Sequence, residues 1–68
     1  MRKRLRERDR AVLNVIRKKK KATFSEILHI VHWSSQSVHL ALLYLRDIGL
    51  IEKRWEGRRC YYRIKRGR

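Results

Sequence analysis

The most informative part of the chain is residues 33–64, WSSQSVHLALLYLRDIGLIEKRWEGRRCYYRI. Its apolar residues match the i, i+3, i+4, i+7 spacing of one helical face in full: Val38, Ala41, Leu42 and Leu45. Two serines stand immediately before this pattern, and either Ser34 or Ser35 can cap the first turn of a helix. The pattern therefore predicts a helix, helix 3, that begins at the serine pair and ends near Ile48.

A β-hairpin is predicted directly after helix 3. Gly49 stands where a residue in the left-handed conformation commonly closes a helix. Beyond it, alternating apolar and polar residues predict two strands, at about 50–55 and 59–64, around a turn that contains Glu56 and Gly57. The residues spaced for one buried face of this hairpin are Ile51, Cys60, Tyr62 and Ile64.

Two more helices are predicted upstream. Helix 1 covers about residues 7–19, and its apolar face consists of Leu5, Val12, Val15 and Ile16. Five cations at 17–21 end this helix. They are either solvated charges that stabilise the C-terminus of the helix or residues that contact phosphates. Thr23 and Glu26 then have the spacing of a capping box, which predicts a short helix 2 that continues through Ile27, Leu28 and Val31.

Composition favours one small basic domain. The 68 residues contain 20 Lys and Arg against six Asp and Glu, for a formal net charge of +14, and such a charge attracts polyanions. We expect a single domain over residues 1–68, with a core at about 7–64 and basic tails at 1–6 and 65–68. A chain this short buries only about 60% of its unfolded surface, so we also expect a homodimer.

The sequence does not favour a membrane protein, a secreted protein or an enzyme. No segment contains the roughly 18 apolar residues of a spanning helix, and no apolar signal-peptide core follows Met1, so we expect a cytoplasmic, nucleoid-associated protein. The single cysteine, Cys60, leaves no internal disulfide, although a disulfide between two copies is an alternative. We find no catalytic set of residues and expect no enzymatic activity.

A metal site is the weaker interpretation of the histidines. His29 and His32 stand three residues apart in predicted helix 2, and a third ligand would have to come from Cys60 or His39. This spacing is incomplete for a metal site. We therefore expect no metal and no cofactor.

The order of these elements is similar to that of winged helix-turn-helix transcription regulators, particularly MarR-type and ArsR-type domains, over roughly residues 11–64. The residues that carry the resemblance are Phe24–Leu28, Ser34–Val38, Leu42, Leu45, Gly49–Ile51 and Tyr62–Ile64. The resemblance implies an α+β fold of three helices followed by a two-stranded β-hairpin wing. It also implies that Trp33, between helices 2 and 3, packs in the core, and it leaves the role of Trp55 open.

In such proteins the N-terminal half of helix 3 enters the major groove of double-stranded DNA, which is about 12 Å wide. The resemblance then implies that helix 3 contacts DNA through Ser34, Ser35, Gln36, Ser37, His39, Leu40 and Leu43. Gln36 can pair with adenine, and Leu40 can rest on a thymine methyl group. The wing would contact the backbone or the minor groove through Lys53, Arg54, Arg58 and Arg59.

The function expected from this resemblance is that of a small, dimeric, sequence-specific transcription regulator. One alternative is an architectural or RNA-associated protein that coats nucleic acid through phosphates alone. Another is a protein-interaction module in which Leu40, Leu43 and Tyr44 contact a partner such as the transcription machinery. Abundant Lys, Arg and Ile without proline also suggest a thermophilic or archaeal source.

Overall fold

A computed structural model describes residues 5–65 as three helices and a three-stranded antiparallel sheet. The elements in chain order are α1 (Glu7–Lys19), β1 (Lys21–Ala22), α2 (Phe24–Ile30), α3 (Ser35–Asp47), β2 (Ile51–Glu56) and β3 (Arg59–Ile64). The strand order in the sheet is β1-β3-β2. This α+β arrangement is that of a winged helix. The predicted basic tails lie mostly outside the described residues, since these begin at 5 and end at 65.

Helix α1 has the predicted bounds and a buried acidic cap. The backbone N–H of Arg6 donates to Oδ2 of Asp9 at 2.9 Å, and Asp9 is only 1% exposed. This bond satisfies an amide that the first helical turn leaves without a partner. At the other end Lys20 takes φ = 70°, a left-handed angle that stops the helix.

The predicted capping box begins α2. The Oγ1 atom of Thr23 accepts from the backbone N–H of Glu26 at 3.1 Å, and the Glu26 carboxylate accepts from the backbone N–H of Thr23 at 2.9 Å. Ile27 of this helix is fully buried, and Leu28 and Val31 pack against the core at its end. A two-turn helix is stable here because the capping box holds its N-terminus and apolar packing holds its C-terminus.

Helix α3 starts at the serine pair and ends one residue before the predicted Ile48. Ser34 is the capping serine, and its Oγ accepts from the backbone N–H of Ser37 at 3.2 Å. The four residues of the predicted apolar face are all buried. Gly49 has φ = 82°, and the N–H of Leu50 donates to the carbonyl oxygen of Leu45 at 2.9 Å, which closes the helix as predicted.

The core lies where α1 packs against α3 and both helices contact the sheet. Its buried members are Val12, Leu13, Val15, Ile16, Ala22, Ile27, Val38, Ala41, Leu42, Leu45 and Ile51. The prediction for Trp33 is wrong, because this side chain is 37% exposed and is not part of the core. Val31 instead provides the apolar contact with the core between α2 and α3.

The sheet has three strands, so the prediction of two strands is incomplete. The additional strand, β1, pairs Lys21 with Arg63 and Ala22 with Tyr62. It has only two residues, too few for an alternating pattern, and its place in the sheet depends on partners about 40 positions away in the chain. No helix within residues 5–65 is both long and apolar enough to cross a membrane.

The β2–β3 hairpin, which forms the wing, has nearly the predicted bounds. Strand β2 begins and ends one residue later than predicted, and β3 agrees with the prediction. Opposite pairs include Ile51 with Ile64 and Trp55 with Cys60, so the four residues expected to share a face do so. The turn between the strands contains Gly57 at φ = 64°, an angle that glycine adopts readily.

Candidate nucleic-acid interface

The first turn of α3 presents small polar side chains to solvent. Ser35, Gln36 and His39 are exposed, and Ser37 is half-buried. Ser34 is also exposed, but its hydroxyl already bonds the N–H of Ser37 and lies 3.2 Å from the Ser37 hydroxyl. Ser34 therefore acts first as the helix cap, and Gln36 is the longest polar side chain of this turn.

The outward face of α3 changes from polar to apolar after its first turn. Gln36 is followed on this face by Leu40 and Leu43, which are 41% and 45% exposed. Tyr44, beside them, is half-buried and makes contacts of its own. Exposed polar side chains return in the last turn of α3, so the apolar stretch lies in the middle of the helix.

The wing separates its side chains onto two faces. Lys53 and Trp55 lie on the same face as the core residue Ile51, since side chains alternate along a strand. Arg54 and Arg59 lie on the opposite face. Arg58 follows Gly57 in the turn, and all four predicted wing cations are exposed. The wing therefore carries positive charge on both faces and at its end.

The two glutamates of the wing are paired with cations outside the predicted set. Glu56 accepts from Nζ of Lys21 at 2.7 Å, and this hydrogen bond raises the pKa of Lys21. Glu52 lies 2.9 Å from Nε of Arg63. Within residues 5–65, the recorded ion pairs involve only Arg8, Lys21 and Arg63 as cations. The four predicted wing cations therefore form no ion pair there, although Arg59 lies near enough to Glu26 to help lower the pKa of that carboxyl.

Trp55, which the sequence left without a role, is the most exposed large apolar side chain of the described residues, at 66%. Nζ of Lys53 lies 5.9 Å from the centre of its ring, near the outer limit of a cation–π contact. The indole is thus an apolar group set among cations at the wing.

A second basic surface lies at the opposite end of β3. A groove of about 530 Å³ between the end of α1 and the sheet is lined by Arg17, Lys19, Lys20, Lys21, Arg63 and Ile64. The sequence pointed to the run at 17–21, but not to Arg63, because Arg63 joins this surface only through its pairing with β1.

The histidines are not gathered into a metal site within residues 5–65. No group of three His, Cys, Asp or Glu side chains close enough to hold a metal occurs in this part of the chain, so the alternative set of His29, His32, His39 and Cys60 does not form. His29 instead places Nδ1 2.8 Å from the carbonyl oxygen of Ser25 in its own helix.

Several solved structures share this fold, including the following two. One is the solution structure of a DNA-binding protein from Sulfolobus islandicus, with a TM-score of 0.76 and 24% identity over 91% of this chain and 100% of that one. The other is the ferric uptake regulator of Francisella tularensis with iron, with a TM-score of 0.76 and 12% identity over 97% of this chain. The match covers 56% of that regulator, so this chain spans little more than half of its length.

No protein-family model matches the chain, and no curated protein matches it either. The similarity to the two solved structures therefore shows the fold alone, and the MarR-type or ArsR-type assignment stays a prediction.

Proposed function

We propose that this chain binds double-stranded DNA, with the first turn of α3 in the major groove and the wing on the adjacent backbone or minor groove. The observation that carries the proposal is the set of four exposed wing cations that form no ion pair within residues 5–65, on a hairpin that follows a helix with an exposed polar first turn. The similarity of the fold to that of a DNA-binding protein supports it.

The charge distribution favours a phosphate backbone as the partner. The formal net charge is +14, and the pairing of Glu52 and Glu56 with Arg63 and Lys21 leaves the cations around the wing turn available. Each phosphate that such a cation neutralises releases a counterion, which makes binding strong and dependent on salt.

Gln36 is the residue through which sequence would be read. It is exposed in the first turn of α3, next to the serine cap, and its amide can both donate to and accept from an adenine edge. Ser35 and Ser37 flank it and can contact phosphates. His39 and Leu40 follow on the outward side of the helix, where Leu40 can contact a thymine methyl group.

We propose further that the protein is a small dimeric transcription regulator acting in the cytoplasm on the nucleoid, as a binding protein without catalytic activity. Exposed Leu43, beyond the groove-facing part of α3, provides an apolar surface that a second copy or the transcription machinery can cover. A two-fold dimer would recognise a palindrome with half-sites about 34–36 Å apart, one turn of DNA.

The test is a competition titration over a salt series, in which duplexes selected from a random pool compete with non-specific DNA. We expect a selected palindrome to bind roughly a thousandfold more tightly than non-specific duplex. Gln36→Ala should lose about 1–3 kcal/mol of discrimination at one base pair without changing the salt slope, whereas Arg58→Ala should lower that slope by about one for every sequence. Asn14→Ala, an exposed change on α1, is the control.

Two outcomes would contradict parts of this proposal. Equal binding to every duplex with a steep salt slope would indicate a protein that coats DNA without sequence specificity. Stronger binding to RNA would indicate that RNA, and not DNA, is the partner. Leu43→Lys tests the apolar surface, with sedimentation reporting self-association. Unchanged sedimentation of a protein that dimerises would exclude this surface as the dimer contact.

A further inference from the structure

Trp55 has an exposure that packing within this chain does not explain. A large indole that is 66% exposed leaves most of its apolar surface in water, which is unfavourable unless a partner covers it. The other tryptophan, Trp33, is exposed to little more than half that extent. Trp55 is therefore the stronger candidate for an apolar contact with a partner.

The strand positions Trp55 on the helix side of the sheet. Along β2, Ile51, Lys53 and Trp55 share one face, and exposure increases as the strand leaves the core, from 2% at Ile51 to 66% at Trp55. The indole therefore projects from the same side of the sheet as α3, beyond the edge of the hydrophobic core.

The dimensions of the molecule allow α3 and the wing to reach neighbouring grooves of one duplex. The centres of adjacent major and minor grooves are about 17 Å apart, half of a turn of roughly 34 Å. The longest dimension of the protein is 37 Å, and Ile51 and Trp55 are about 13 Å apart along β2. These lengths are compatible with α3 and the wing contacting neighbouring grooves of one duplex.

The indole is an apolar ring with cations nearby, which is complementary to stacked bases bordered by phosphates. Lys53 lies near its ring on the same face, and Arg58 is in the adjoining turn. The nearby Glu56 is bonded to Lys21. A second copy of this chain would bring the same positive charge to the contact, whereas DNA brings the opposite charge.

We propose that Trp55 is a wedge: its indole enters the minor groove, partly unstacks a base step and bends the duplex. This inference rests on the proposed DNA binding and adds to it a residue that responds to DNA deformability. Pyrimidine–purine steps such as TA unstack most easily, so the wedge would favour them beneath the wing.

The experiment compares Trp55→Ala and Trp55→Phe with the unaltered protein on two end-labelled duplexes that differ only in a central TA or AA step. Energy transfer between the two ends reports bending. We expect Trp55→Ala to abolish the protein-induced bend and to lower affinity for the TA duplex by about tenfold, the scale of one lost stacking contact. Its salt slope should not change, because the indole neutralises no phosphate. Trp55→Phe should retain part of both effects.

Two control variants separate the wedge from charge and from folding. Arg58→Ala should show the converse result, a lower salt slope with the bend retained. Trp33→Phe leaves Trp55 as the single tryptophan, and its fluorescence should be quenched when duplex is added. Thermal melting of Trp55→Ala should match that of the unaltered protein, because the side chain is exposed.

Bending and affinity that are unchanged in Trp55→Ala would overturn the wedge. So would Trp55 fluorescence that does not respond to duplex, or a loss of self-association in Trp55→Ala while its bending of DNA is retained. The proposed function fails in a different way, namely if the unaltered protein does not bind either duplex.

Discussion

Lys21 and Glu56 form a hydrogen-bonded ion pair across the sheet, with 2.7 Å between Nζ and Oε1, although they are 35 positions apart in the chain. Nζ of Lys21 also lies 4.7 Å from the centre of the Tyr61 ring. One side chain of the short strand β1 thus crosses β3 to reach the last residue of β2. The pair links β1 to the wing. It also gives Glu56, the acidic residue nearest the wing turn, a cationic partner.

Replacing Glu56 with Gln should strengthen DNA binding. The change removes one negative charge beside the wing turn and frees Lys21, so affinity should rise roughly twofold to threefold at moderate salt. Stability should change little, because the two side chains are 45% and 44% exposed and solvent screens their attraction. Glu52→Gln is the matched control. Glu52 pairs with Arg63 farther from the turn, so the same titration should show a smaller rise.

Thr23 should contribute measurably to folding. Thr23→Ala removes the oxygen that accepts from the N–H of Glu26, and we expect a loss of about 1 kcal/mol in the free energy of unfolding. Thr23→Ser keeps the hydroxyl and should recover most of it. Urea denaturation measures both variants. A similar loss in Ser and Ala would show that the methyl group of Thr23, and not its hydroxyl, is responsible.

Glu26 should make stability depend on pH in the acidic range. The backbone N–H of Thr23 bonds its carboxylate and lowers its pKa below the ordinary value of 4.5. The folded state therefore favours the ionised form, so this stabilisation is present above pH 4.5 and is lost as the pH falls through the folded pKa. Melting temperatures between neutral pH and pH 3 should show the loss. Glu26→Gln should show a shallower decline, and equal declines would assign the effect to other acids.

Asp9 should be more important to folding than an ordinary surface acid. It is 1% exposed and accepts from the N–H of Arg6 at 2.9 Å, while its second oxygen lies 3.7 Å from Nε of Arg8. Asp9→Ala leaves the amide of Arg6 without this acceptor and should reduce the free energy of unfolding by about 1–3 kcal/mol. Asp9→Asn keeps an acceptor and should lose less. Equal losses would show that the charge of Asp9 matters more than the hydrogen bond.

Local signals were sufficient to predict the helices. The bounds of α1, the capping box of Thr23 and Glu26, and the closure of α3 at Gly49 all depend on residues within a few positions of each other. Periodicity also assigned the buried face of α3 correctly, because a helix surface is determined by its own spacing.

Features that depend on distant pairing were not predicted. Strand β1 is defined by its contacts with Tyr62 and Arg63, so no local pattern indicates the third strand or the groove to which Arg63 contributes. Trp33 was misplaced because Val31 makes the contact expected of it, and local pattern alone does not decide between two neighbouring apolar residues. Ten of the eleven predicted DNA-contacting residues are exposed and Ser37 is half-buried, and their contacts with DNA stay a prediction.

The left-handed backbone of Lys20 means that this domain is less stable than its fold permits. A residue with a Cβ at φ = 70° carries strain that glycine would not, so Lys20→Gly should gain roughly 1 kcal/mol in spite of the greater freedom of glycine in the unfolded chain. The same change would remove one cation from the groove at the end of α1. Selection for thermal resistance and selection for affinity to a polyanion would therefore act in opposite directions at this position. Laboratory evolution for heat resistance alone would be expected to replace this lysine early.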